Sequence, residues 1–161
     1  MANSLTYNPI GIILSPFKSV KGIPIQPSAS KEIKGSIEIY KKYQDGLQDL
    51  QGFSHLILIY HFHLTKKSTL LVKPFLDNTQ RGVFATRAPS RPNPLGLSIV
   101  KLIKIQNNIL EIQDLDILNE TPLLDIKPYV PDFDIKKKCK IGWLEKNIKN
   151  LPGKTDDGRF L

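Results

Sequence analysis

With 161 residues, one cysteine and a formal net charge of +8, the chain has the length of one domain, enough to bury roughly two thirds of its unfolded surface. Cys139 alone excludes an internal disulfide and points to a reducing compartment. No segment reaches the roughly eighteen apolar residues of a membrane span, and the first residues carry neither a basic lead nor a small-residue cleavage pattern, so a cytoplasmic protein without a membrane contact is expected. The charge is mostly lysine, densest at Lys136, Lys137, Lys138 and Lys140; it suits nucleic acid as well as a plain solvated face.

In chain order, Ile10 to Leu14 reads as a short apolar strand stopped by Ser15 and Pro16. Lys18 to Ser30 is a loop with Gly22, Pro24 and Pro27, and Gln26 sits between the two prolines. Lys34 to Tyr40 alternates, with Ile37 and Ile39 on one face and Ser36, Glu38 and Tyr40 on the other, as in a half-buried strand. Lys41 to Leu50 predicts a turn or two of helix through Tyr43, Leu47 and Leu50.

His55 to Leu64 is apolar on both faces, as expected of a strand covered on both sides. Even spacing puts His55, His61 and His63 on one face. Two histidines at i, i+2 can ligate zinc, but no cysteine or carboxylate accompanies them at a ligand spacing, so no metal is expected. His63, near the strand end, reads as a hydrogen-bonding partner for a ligand or for core backbone.

Lys73 to Arg81 is a polar loop leading into Gly82 to Leu102, the stretch on which the chain is centred. There Pro89, Pro92 and Pro94 stiffen a loop that carries Arg87, Arg91 and Asn93, polar groups of fixed donor geometry, and Gly96 follows where a turn or close backbone approach needs it. Leu97 to Ile105 and Ile109 to Leu118 form a hairpin about Asn107 and Asn108. Residues 115–134 are again proline-punctuated, and a basic run, a short amphipathic segment from Gly142 to Asn150 and a polar tail close the chain. Trp143 either packs that tail back on the body or serves a subunit contact. Six or more short strands and twelve prolines predict a mainly β fold, a small single-domain barrel over about residues 5–134 with short helices and a C-terminal extension from 135 to 161. There is no glycine-rich phosphate loop, no Gly-x-Ser-x-Gly elbow and no Cys-His zinc spacing.

RGVFATRAPSRPNPLGLSIVKL and LDILNETPLLDIKPYVPDFD, with GIPIQP, GLQDLQGFSHLILIYHF, KPFLDNTQRGVF, IGWLE and DDGRF in order along the chain, resemble the TsaA-like (TrmO) family. The resemblance implies a β-barrel that binds S-adenosylmethionine, acts as a homodimer, and methylates the exocyclic adenine nitrogen of threonylcarbamoyladenosine beside the tRNA anticodon. By the same correspondence the cofactor set is Pro24, Ile25, Gln26, His63, Leu64, Arg87, Leu97 through its backbone, Asp116, Leu118, Asn119, Glu120 and Thr121. Arg87 suits a bidentate pair with the cofactor carboxylate. Asn93, Asp125 and Tyr129 are the candidates to orient or deprotonate the acceptor nitrogen, and Arg91 and Lys127 to hold a carboxylate or phosphate of the substrate; an Asp125–Lys127 structural ion pair is an equal reading. Ile25 replaces the arginine of the usual Pro-Arg-Gln, and Asn119-Glu120-Thr121-Pro122 stands for Asp-Gly-Thr-Pro. A same-fold methyltransferase with a small-molecule acceptor, or a non-catalytic cofactor- or RNA-binding module, are the alternatives.

Overall fold

The computed structural model describes residues 5–26 and 30–161, so Pro27, expected in the first loop, lies outside the described residues. Among the described residues eight strands form: β1 (Gly11–Leu14), β2 (Lys34–Ile39), β3 (His55–His61), β4 (Leu71–Val72), β5 (Arg81–Gly82), β6 (Leu95–Gln106), β7 (Ile109–Gln113) and β8 (Thr121–Pro128). Six of them close into an antiparallel barrel in the order β1-β2-β7-β6-β3-β8, while β4 and β5 pair as a separate ribbon. Closure leaves no free edge in the barrel. Two register shifts bend it, one on β6 between Leu102 and Lys104 and one where Ile59 and Tyr60 face β8.

Alternation sets the core. Ile13, Ile37, Ile39, Leu56, Leu58, Val100, Leu110, Ile112 and Leu123 point inward and are buried together. β3 is therefore covered on one side: Leu56, Leu58 and Tyr60 are buried, whereas His55, Ile57, Ile59 and His61 are half-buried on the outside. The strand also stops at His61. His55 and His61 share its outer face, and His63 lies in the turn beyond, because the chain leaves the sheet at Phe62, whose N–H donates to the Pro94 carbonyl at 2.8 Å.

The expected helix over 41–50 is instead a 3-10 helix at Lys41–Leu47, followed by another at Leu50–Gly52. Gly46 and the short span favour that tighter form. Tyr43, Leu47 and Leu50 still turn onto the core and plug one end of the barrel. The β6–β7 hairpin turns with Asn107 at φ 54°, the left-handed conformation asparagine tolerates. β7 ends at Gln113, five residues before the expected limit, because Asp114 is also left-handed (φ 67°) and turns 114–118 across the open end.

A four-residue helix, α1 (Pro131–Asp134), follows the barrel, and the tail then returns to the open end through 3-10 turns at Gly142–Lys146 and Ile148–Asn150. Trp143 Nε1 donates to the Ala85 carbonyl at 2.8 Å. Gly22 and Ile23 exchange backbone hydrogen bonds with Asp156 at 2.8 and 2.7 Å, and Phe160 sits edge-on to Phe75 at 5.1 Å. The tail thus packs back on the body and joins three loops at one end. No helix among the described residues is long and apolar enough to cross a membrane.

Candidate functional site

At the end opposite the 3-10 plug, the loops open onto a cavity of about 1070 Å³. Its walls are the first loop, the turn after β3, the proline loop before β6, the segment between β7 and β8, and the tail. Volume and mixed lining suit one or more small organic ligands.

The proline loop is held by its own arginine. Arg91 Nη1 donates to the carbonyls of Thr86 at 3.2 Å and Ala88 at 3.1 Å, and the backbone N–H groups of Arg91 and Leu95 close tight turns onto Pro89 and Asn93, each at 2.7 Å. With Arg91 so occupied, Arg87 is the guanidinium available to act in the cavity, and its Nη1 donates to Gln26 Oε1 at 3.0 Å. That bond ties the two proline-bounded segments together.

Asp116 is the acidic counterpart. Its carboxyl lines the cavity, half-buried, and Oδ1 accepts from Ser98 Oγ at 2.7 Å. Burial pushes its pKa up to about 6, against the pull of the Ser98 hydrogen bond and the Arg87 charge. His63 is shifted down, first by burial and then by His61, so its imidazole is neutral at pH 7. Its Nδ1 makes a loose 3.5 Å contact with Thr121 Oγ1, whose own proton goes to the Leu118 carbonyl at 2.8 Å.

Of the residues expected in the site, Pro24, Ile25, Gln26, His63, Leu64, Arg87, Arg91, Asn93, Leu97, Asp116, Leu118 and Thr121 line this one cavity. Asn119 does not: its side chain accepts from the Ser15 N–H at 3.0 Å and its N–H donates to the Phe17 carbonyl, fixing the exit of β1. Glu120 is exposed, with φ 63°, which explains why glycine suits that position. Asp125 and Lys127 form a 2.8 Å ion pair, half-exposed, outside the barrel. Tyr129 donates its N–H to the His55 carbonyl, at the far end of β3, and its ring meets His55 edge-on. Asp125, Lys127 and Tyr129 do not line the cavity.

Tyr60 and the tail residues Trp143, Leu144, Ile148, Leu151 and Phe160 line the cavity without having been expected there, and buried Ser98, also not expected, reaches it through its hydrogen bond to Asp116. Ser98 carries a readable signal, a hydroxyl in the inward row Gly96, Ser98, Val100, Leu102. The tail carries none beyond its apolar spacing.

A closed six-stranded antiparallel barrel with a largely apolar cavity at one mouth, set with a few convergent polar groups, defines a class of small-ligand-binding barrels. Within it, the family of the tRNA-methyltransferase O N-terminal domain matches residues 12–135. A probable S-adenosyl-L-methionine-binding protein of Pyrococcus abyssi is 56% identical over 157 residues, 98% of this chain and 85% of that protein. The tRNA (adenine(37)-N6)-methyltransferase of Escherichia coli K12 is 36% identical over 139 residues, 80% of this chain and 59% of that enzyme. A crystal structure of TrmO superposes with a TM-score of 0.77 at 34% identity, over 87% of this chain and 64% of that one. The chain belongs to the TrmO family. It spans about three fifths of the length of the bacterial enzyme.

Proposed function

We propose that the chain is an S-adenosylmethionine-dependent tRNA methyltransferase that acts on the exocyclic adenine nitrogen of threonylcarbamoyladenosine beside the anticodon. The observation that carries this reading is the cavity itself, where a guanidinium (Arg87), an amide (Gln26) and a carboxyl (Asp116) from three separate segments meet among apolar walls. Those groups fit the cofactor's chemistry. Arg87 offers parallel donors to a carboxylate; Asp116 offers an acceptor and a negative charge to hydroxyl or cationic groups; Ile25, Leu64, Leu97 and Leu118 offer apolar surface to a nucleobase. When bound, S-adenosylmethionine supplies an activated methyl group on a sulfonium.

The acceptor nitrogen must lose a proton, and Asn93, the catalytic candidate in the cavity, is an amide that can orient but not take one. Asp125 and Tyr129 reach the reaction only across a subunit boundary. A homodimer is supported by the outer face of β6, where Leu95, Leu97, Ile99 and Ile103 are 43%, 50%, 37% and 44% exposed, with Ile57 and Ile59 of β3 beside Ile99 and Leu97. An apolar ladder of this kind, rimmed by the Asp125–Lys127 pair, has the make-up of an interface. The reducing, cytoplasmic setting of tRNA modification fits the lone exposed Cys139.

The test is two-part. Calorimetry should detect S-adenosylmethionine binding, and no binding by the folded protein would exclude this reading. Labelled methyl should then pass to tRNA carrying threonylcarbamoyladenosine and not to tRNA lacking it; label on neither, with binding intact, would mean another acceptor.

A further inference from the structure

Asp116 is the end of a buried row of hydroxyls. Tyr60 on β3 and Ser98 on β6 both point inward, 5% and 1% exposed, with Tyr60 Oη 3.0 Å from Ser98 Oγ and Ser98 Oγ 2.7 Å from Asp116 Oδ1. Each hydroxyl has one proton. Ser98 commits its proton to the carboxylate, so its oxygen is left to accept from Tyr60. Burial, and then the Asp116 charge, push the Tyr60 phenol above its usual range, which keeps it a donor.

The row is built into the barrel wall. A Cβ on Gly96 would stand 2.1 Å from Tyr60 Cε2, so glycine there is what lets the ring lie against β6. Ser98 occupies an inward position between Gly96 and the apolar Val100, where a hydroxyl gains nothing from packing. Among the described residues only Oδ1 of the carboxyl is engaged by a side chain, and Asp116 borders the cavity. The titratable and charged groups that act on it are the Tyr60 phenol from β3 and the Arg87 guanidinium from the proline loop.

We propose that Tyr60 and Ser98 are positioning residues: a two-hydroxyl relay that holds Asp116 in one orientation, favours its carboxylate form, and leaves Oδ2 for a hydroxyl or cationic group of the cofactor. The assignment of the ligand rests on the reading of the cavity given above; the relay's hold on the carboxylate does not. A relay of this type acts on the charged form of its target, so its removal moves a titration rather than only weakening a contact.

Two measurements on the full chain test it. Carbon-detected NMR of the Asp116 carboxyl against pH should show its midpoint moving up by about one unit in Ser98→Ala, and by less in Tyr60→Phe, which keeps the ring against Gly96 and serves if Ser98→Ala does not fold. Calorimetry with S-adenosylmethionine over the same titration range should show the pH below which affinity falls moving up by the same amount, with near wild-type affinity at the alkaline end. An unmoved carboxyl midpoint, or equal weakening at every pH, would reduce Ser98 and Tyr60 to packing residues and overturn the relay. Absence of binding by the wild type at every pH would instead overturn the cofactor reading, and with it the ligand assigned to Oδ2, while the carboxyl midpoints still decide the relay.

Discussion

The two ends of the barrel use the same strands for opposite purposes. At one, short 3-10 turns drive Tyr43, Leu47 and Leu50 onto the core that holds Ile39 and Leu110, and the end is filled by apolar packing. At the other, Ser98, Thr121 and Asp116 turn polar groups inward, and the loops and tail around them hold each other by hydrogen bonds instead. Apolar packing is gained cheaply in any closed barrel, whereas buried polar groups persist where something else engages them. Stability and ligand chemistry should therefore separate by end, and substitutions can test that separation.

The largest effect belongs to the closed end. Leu110→Ala removes a side chain that is 0% exposed and should cost about 2–5 kcal/mol in urea unfolding. Its affinity for S-adenosylmethionine, measured well below the new midpoint, should stay at the wild-type value. A large loss of affinity there would show that the two ends are mechanically one.

At the open end, Arg87→Ala should do the reverse. Its guanidinium bonds Gln26 near the surface, so stability should change little, while loss of a charge-assisted carboxylate pair should weaken the cofactor by about 1.5–3 kcal/mol. Unchanged affinity in the folded variant would remove Arg87 from the cofactor site.

Asp116→Asn sharpens the comparison further, because here function and stability should oppose each other. The folded carboxyl, pushed up to about 6 from an ordinary 3.8, keeps its proton where the unfolded chain has already released it. Between those two pH values the native state binds more protons, so stability falls as pH rises through the window and is constant above it. The amide removes this penalty: the variant should be more stable at pH 7 by about 1–2 kcal/mol, with a flatter profile between about pH 4 and 6, and should bind the cofactor less well. Urea melts across that range would expose a wrong sign at once.

Much of this division is legible in the residues. The inward row of Ile37 and Ile39, the Asn107–Asn108 hairpin and the stiff loop bearing Arg87 follow from local periodicity and backbone preference, which a sequence carries directly. The fate of Asp125, Lys127 and Tyr129 does not. Proline punctuates residues 122–131 as it does 89–94, yet β8 carries the first two onto the outer face and Tyr129 past the far end of β3. Which barrel end a segment reaches depends on strand order and register, both long-range. The same holds for the tail: nothing near Trp143 in sequence indicates that its partner is the Ala85 carbonyl, 58 residues away.

The smallest expected effect lies outside both ends. Lys136, Lys137 and Lys138 are exposed and follow α1, so their replacement by glutamine should leave both the fold and S-adenosylmethionine binding unchanged. If they neutralise RNA phosphates, the salt dependence of tRNA binding should flatten by about 0.7–0.9 in log–log slope for each phosphate that the variant leaves unneutralised. Slope is the better measure than affinity at one salt concentration, because a variant that merely disturbs the tail would shift affinity and leave the slope. An unchanged slope would make this run a solvated face and require the polyanion to be held by other lysines.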